Sequence, residues 1–68
     1  MDKDQLVAAL EATLVDSDQV MRSLMDQANR QGIPPHMMMN RDGTYAMAPI
    51  LHTRAMVLSS LTALYVAD

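Results

Sequence analysis

The segment Ile33–Ile50 constrains the fold most, because it lies between two long helical patterns and carries the clearest turn signal of the chain. Two short runs typical of strands, residues 36–39 and 44–48, flank the sequence Asn40-Arg41-Asp42-Gly43. Glycine readily adopts the left-handed conformation that closes a type I turn with a bulge. The pattern predicts a β-hairpin over about residues 36–48, which must pack on helices or on another chain because an isolated hairpin is marginal in water.

The N-terminal side of the chain predicts a helix over about residues 3–31. Asp2 and Gln5 have the spacing of a capping box at its start. Gly32 suits the position that follows a helix, and Pro34-Pro35 prevent continuation. Apolar residues recur over this range at helical spacing: Leu6, Val7, Leu10, Leu14, Met21, Leu24, Met25 and Ala28.

An alternative divides this helix at Asp16-Ser17-Asp18, where Asp16 would cap a second helix. Two i,i+4 ion pairs, Asp18–Arg22 and Asp26–Arg30, support helix formation in the second half of the range alone. The sequence therefore leaves the continuous and the divided helix open.

The C-terminal side predicts a second helix over about residues 49–66, with Pro49 in the first turn, where a missing N–H costs no helical hydrogen bond. Apolar residues occupy most of its circumference, so it should be buried on more than one side. One helix of the same chain cannot cover it. Small residues at i+4 spacing would let another helix approach closely: Ala55, Ser59, Ala63 and Ala67.

The predicted fold is one domain over residues 1–68, of mostly helical α+β class, in the order long helix, β-hairpin, second helix (α-β-β-α). A chain of 68 residues without cysteine buries little surface alone and has no disulfide to compensate. We therefore expect a homo-oligomer, most simply a two-fold dimer. The expected interface lies on the second helix: Ile50, Leu51, Ala55, Val57, Leu58, Ser59, Leu61, Ala63 and Leu64.

Charge and hydropathy disfavour several classes of partner. The net charge is −3, and the five Lys and Arg residues are dispersed, whereas nucleic-acid binding requires clustered cations. The N-terminal sequence MDKDQ is acidic and unlike a targeting peptide. The most apolar stretch, residues 55–67, is shorter than the ~20 residues of a membrane span. We expect a cytoplasmic protein that binds neither nucleic acid nor membrane.

The sequence Met37-Met38-Met39, with His36, His52 and Met56, suggests copper, because thioether and imidazole ligands suit Cu(I). Adjacent strand residues point to opposite faces, so three consecutive methionines cannot bind one ion from one strand. We expect these methionines to pack, with no metal or cofactor bound.

Catalytic chemistry is not indicated either. Histidine is the usual general acid or base near neutral pH, but no Asp or Glu lies between Asp42 and Asp68 to support His36 or His52. The turn sequence Asn40-Arg41-Asp42-Gly43 lacks the rest of a calcium-binding loop. We predict that the protein is not an enzyme.

The segment from Asp42 to Leu51, DGTYAMAPIL, which enters a helix rich in Ala and Leu, resembles small orphan accessory proteins of actinobacterial phages. The resemblance covers the C-terminal half of the chain. It implies an accessory protein that acts on a host or phage protein, and it assigns no functional residue.

The leading functional hypothesis is a non-enzymatic, oligomerising protein-interaction module. The residues expected to face a protein partner belong to the hairpin, because methionine-rich surfaces repack to fit different partners: Met37, Met38, Met39, Arg41 and Tyr45. The alternative is a small ligand- or metal-binding protein with its site at the subunit interface. A transcriptional regulator is a weaker third reading, because the basic residues are few and dispersed.

Overall fold

The computed structural model describes residues 2–67 as an antiparallel helical hairpin. Helix α1 spans Lys3–Gln31, a 3-10 turn spans Pro35–Met37, and helix α2 spans Ala48–Val66. The molecule is a rod with principal extents of 46 × 18 × 17 Å. No strand occurs in this part of the chain, so the predicted α-β-β-α arrangement and α+β class are wrong and the fold is all-helical.

Local hydrogen bonds define both ends of α1. The Gln5 backbone N–H donates to Asp2 Oδ1 at 2.8 Å, and the Asp2 N–H donates to the Gln5 side chain at 3.3 Å, which completes a capping box. At the other end Gly32 has φ +71°, and the backbone N–H groups of Gly32 and Ile33 donate to Asn29 and Ala28. This is a Schellman motif, and α1 continues without a break through Asp16-Ser17-Asp18.

The predicted β-hairpin is reduced to one isolated antiparallel bridge, between Met39 and Tyr45. Gly43 has φ +85°, so the left-handed turn is present without strands beside it. On one side the 3-10 turn ends at Met37, and on the other side α2 begins at Ala48, preceded by a turn. These turns leave too few extended residues on either side for a ladder, which is why the hairpin prediction fails.

Apart from Asp18, the buried and half-buried residues of each helix recur three and four positions apart, as in a coiled-coil seam. On α1 these residues are Val7, Leu10, Leu14, Ser17, Met21, Leu24 and Ala28. On α2 they are Ile50, Arg54, Val57, Leu61 and Leu64. This helical seam is the core, and the adjacent connection also buries Met38 and Met47.

Candidate interaction surface

A polar cluster lies inside the helical seam, in the middle of α1. The Arg54 guanidinium donates to Ser17 Oγ at 2.9 Å and to the Leu14 carbonyl at 3.4 Å, and it also pairs with the Asp18 carboxylate. The Ser17 hydroxyl in turn donates to the Leu14 carbonyl at 2.7 Å. The cluster is hydrogen-bonded throughout, so it fixes the alignment of the two helices without leaving a buried polar atom unsatisfied among residues 2–67.

A second stripe runs along α2 beside the seam and is exposed to solvent. Each of its members follows a seam residue by one position, so the stripe has the same three-and-four spacing. It consists of Leu51, Ala55, Leu58, Thr62 and Tyr65, and we call it the outer stripe. Its large members are 48% (Leu51), 47% (Leu58) and 58% (Tyr65) exposed. The described part of the chain therefore leaves a continuous apolar face of α2 uncovered.

The hairpin exposes more surface than a compact protein of the same mass, as its rod shape requires. The chain of 7.5 kDa exposes 5065 Å², and its radius of gyration is 14.8 Å. A compact protein of this size has about 4,200 Å² of accessible surface and a radius of gyration of about 11 Å. The excess of about 800 Å² equals the area that each partner contributes to a standard protein–protein interface.

An open apolar groove lies on the other flank of α2, where α1 contributes Leu10. Its volume is about 270 Å³, and its lining residues are Leu10, Thr53, Met56, Val57 and Ser60. Met56 and Ser60 precede seam residues by one position, whereas the outer stripe follows them. The groove and the outer stripe are therefore separate surfaces.

The connection between the helices presents a third surface, which we call the tip. Met37, Met39 and Tyr45 are each about half exposed, and Arg41 is exposed beside them. Met38, one of the five residues expected to face a partner, is instead buried within the hairpin.

The nine α2 residues expected at the subunit interface divide into two groups. Four belong to the seam with α1: Ile50, Val57, Leu61 and Leu64. Five remain exposed: Leu51, Ala55, Leu58, Ser59 and Ala63. Sequence reasoning missed Ser17 and Arg54 as seam residues, although the three-and-four spacing passes through both of them.

Among residues 2–67, the pKa values of Asp42 and Tyr65 are shifted. The Thr44 hydroxyl and backbone N–H both donate to the Asp42 carboxylate, at 2.6 Å and 3.0 Å, and lower the pKa of Asp42. Partial burial and the neighbouring Glu11 carboxylate raise the pKa of Tyr65. Tyr65 therefore lies close to Glu11 of α1, while the residue as a whole is 58% exposed.

Neither His36 nor His52 is buried or hydrogen-bonded to an acidic side chain in the described region. Within residues 2–67, no three or more His, Cys, Asp or Glu side chains come together as a metal site would require. In the same region, neither helix combines the length and the apolar character that crossing a bilayer requires.

Comparisons of the chain with models of protein families, with curated proteins and with solved structures gave no significant match in any of the three.

Proposed function

We propose that this protein is a non-enzymatic, self-associating protein-interaction module. The observation that carries the proposal is the outer stripe of α2, whose apolar side chains are half exposed along nearly the whole helix. A helix that is apolar around most of its circumference is stable in water when a second surface covers its free face.

Another copy of the same chain is the simplest partner that could bury this face. The hairpin exposes about 800 Å² more than a compact protein of its mass, which is the area one subunit gives to a standard interface. Two hairpins joined through α2 form a four-helix bundle, an arrangement in which both apolar faces of α2 are buried. Self-association thus supplies the core that 68 residues cannot build alone.

The tip is the surface through which the assembled module engages a different protein. Met37, Met39 and Tyr45 are exposed there together, with Arg41 adding a positive charge. Methionine adapts its shape to a partner, and exposed Tyr and Arg are enriched where binding energy concentrates. An accessory role on a host or phage protein in the cytoplasm fits such a surface and remains part of the proposal.

The groove beside Leu10 favours a second candidate function, the binding of a small apolar ligand. Its volume of about 270 Å³ is close to the lower end for small-molecule pockets. It is open along one side and has few polar groups to orient a ligand, which is why we rank this function below self-association. Displacement of a fluorescent apolar dye by a candidate ligand, lost in Met56→Glu, would support it.

Light scattering behind a sizing column tests the leading proposal. We expect wild-type protein at micromolar concentration to have at least the mass of a dimer, and Leu58→Glu to lose that mass because it places a carboxylate inside the interface. Val20→Glu is the matched control, since Val20 is 49% exposed but lies on α1. A folded wild-type monomer would contradict the proposal, and a Leu58→Glu variant that keeps the wild-type mass would show that self-association does not use the outer stripe.

A further inference from the structure

The large side chains of the outer stripe are evenly spaced about its central residue. Large side chains at Leu51, Leu58 and Tyr65 are seven residues apart, and the smaller Ala55 and Thr62 separate them. Residue 58 also lies within one residue of the middle of α2, which spans Ala48–Val66. A two-fold dimer requires a surface that complements itself under rotation about its own centre, and the equal distance of Leu51 and Tyr65 from Leu58 is compatible with such a rotation.

We infer that two chains pair through the outer stripe with their α2 helices antiparallel and with the two-fold axis beside Leu58. The inference rests on the proposed self-association and adds its geometry. Leu51 then lies against Tyr65 of the second copy at each end of the contact, and Leu58 packs on Leu58 of the second copy. Ala55 and Thr62 lie between these layers, where their small side chains let the two helices approach closely.

A parallel pair would place each residue against its own copy. Tyr65 would meet Tyr65 and Ala55 would meet Ala55, so the distance that suits one layer would be wrong for the next. The antiparallel pair combines unlike residues and makes the layers more even in size. It also places the partial positive end of each α2 beside the partial negative end of the other.

The charges along the rod favour the same orientation. Residues 2–16 lie toward the end where α1 begins and α2 ends, and they carry four carboxylates and one lysine. Residues 22–42 lie toward the tip and carry three arginines and two aspartates. An antiparallel dimer places the acidic end of each copy beside the more basic end of the other, whereas a parallel dimer brings the two acidic ends together.

The geometry also determines where the tips are. Because each tip precedes the N-terminus of α2, the antiparallel dimer carries one tip at each end of the bundle. Leu51 and Tyr65 are 14 residues apart on α2. Because Leu51 of one copy lies beside Tyr65 of the other, the two Leu51 residues are about 21 Å apart along the bundle. The dimer would therefore present two equivalent partner-binding surfaces that face away from each other.

Cysteine cross-linking tests this arrangement, because the natural chain contains no cysteine. Disulfides require Cα atoms about 4–7 Å apart, so they report direct neighbours. We expect Leu51→Cys and Tyr65→Cys, refolded together and mildly oxidised, to give a covalent dimer that is lost when either variant is oxidised alone. Leu58→Cys alone should also cross-link, and Val20→Cys is the exposed control on α1 that should not.

Light scattering on the unoxidised protein separates the two proposals. If wild type is a dimer but Leu51→Cys and Tyr65→Cys each cross-link with themselves, the chains are parallel and this inference is wrong, while self-association stands. If wild type is a dimer and Val20→Cys alone cross-links, the contact lies on another face and the inference is again wrong. If wild type is a monomer, both proposals fail together.

Discussion

The Arg54 guanidinium of α2 donates a hydrogen bond of 2.9 Å to the Ser17 hydroxyl of α1, and both residues occupy positions that apolar residues fill elsewhere in the helical seam. Ser17 is buried, whereas the Asp18 carboxylate that also pairs with Arg54 reaches solvent. A polar pair at one level of an apolar seam is satisfied in a single alignment of the helices, so it specifies register.

This relationship predicts the effect of removing the arginine. Arg54→Ala should lower the free energy of unfolding by about 2 kcal/mol, because it removes charge-assisted hydrogen bonds and part of the packing in the seam. Arg22→Ala, at an exposed position on α1, is the control and should change it by less than about 0.5 kcal/mol. Urea denaturation at a fixed protein concentration measures both.

Replacing the polar pair by apolar residues distinguishes its effect on helix alignment from its effect on the free energy of unfolding. A double variant, Arg54→Leu with Ser17→Ala, should recover most of the lost stability, because an apolar pair can replace a polar one in a packed core. If Arg54→Ala is as stable as wild type, Arg54 does not hold the hairpin together and the assigned role of the polar cluster is wrong.

Gly43 provides a test of the turn. Its φ of +85° is costly for residues with a branched Cβ, yet no atom lies within 4 Å of the position a Cβ would take. Gly43→Val should therefore lower stability by about 1–2 kcal/mol through backbone strain alone. Gly43→Asn should cost less, because asparagine tolerates the left-handed region. Equal thermal midpoints for wild type and Gly43→Val would show that the turn is not left-handed in solution.

The fate of the predicted hairpin shows which parts of this fold local sequence determines. Capping signals and the Schellman glycine are local, so the ends of α1 can be derived from Asp2, Gln5 and Gly32. The turn at Gly43 is local too. The residues on either side of it do not form strands, because the turns at Pro35–Met37 and just before Ala48 leave too few extended residues for a ladder.

The candidate surface could be predicted in part. Sequence alone indicates that α2 is apolar on several sides, but it does not indicate which of these sides packs against α1. The structure assigns Val57 and Leu61 to the seam and leaves Leu51 and Leu58 outside. Sequence alone does not place Arg54 in the seam, because charged residues are rarely buried without partners, and the partners of Arg54 come from α1.

The pair formed by Asp42 and Thr44 predicts a pH dependence. Hydrogen bonds from Thr44 lower the pKa of Asp42 in the folded chain, so the folded state binds this proton less readily than the unfolded state. The resulting stabilisation is present above the ordinary aspartate pKa of about 4 and is lost as the pH falls through the lowered value. Asp42→Asn should therefore be less stable than wild type near neutral pH, and the difference should disappear in acid.

A titration followed by NMR measures the same effect directly. The pKa of the Asp42 carboxyl group should rise toward its ordinary value in Thr44→Val, which lacks the hydroxyl donor. An unchanged pKa in that variant would mean that the Thr44 hydroxyl does not bond to Asp42 in solution.

The most direct test of self-association is the dependence of the thermal midpoint on protein concentration. If the outer stripe around Leu58 is covered by a second copy, folding and association are coupled, and the midpoint of wild type must rise as the protein is concentrated. In Leu58→Glu the midpoint should be lower and independent of concentration. A wild-type midpoint that stays constant from low to high micromolar concentration, with the chain folded as a monomer throughout, would contradict the account.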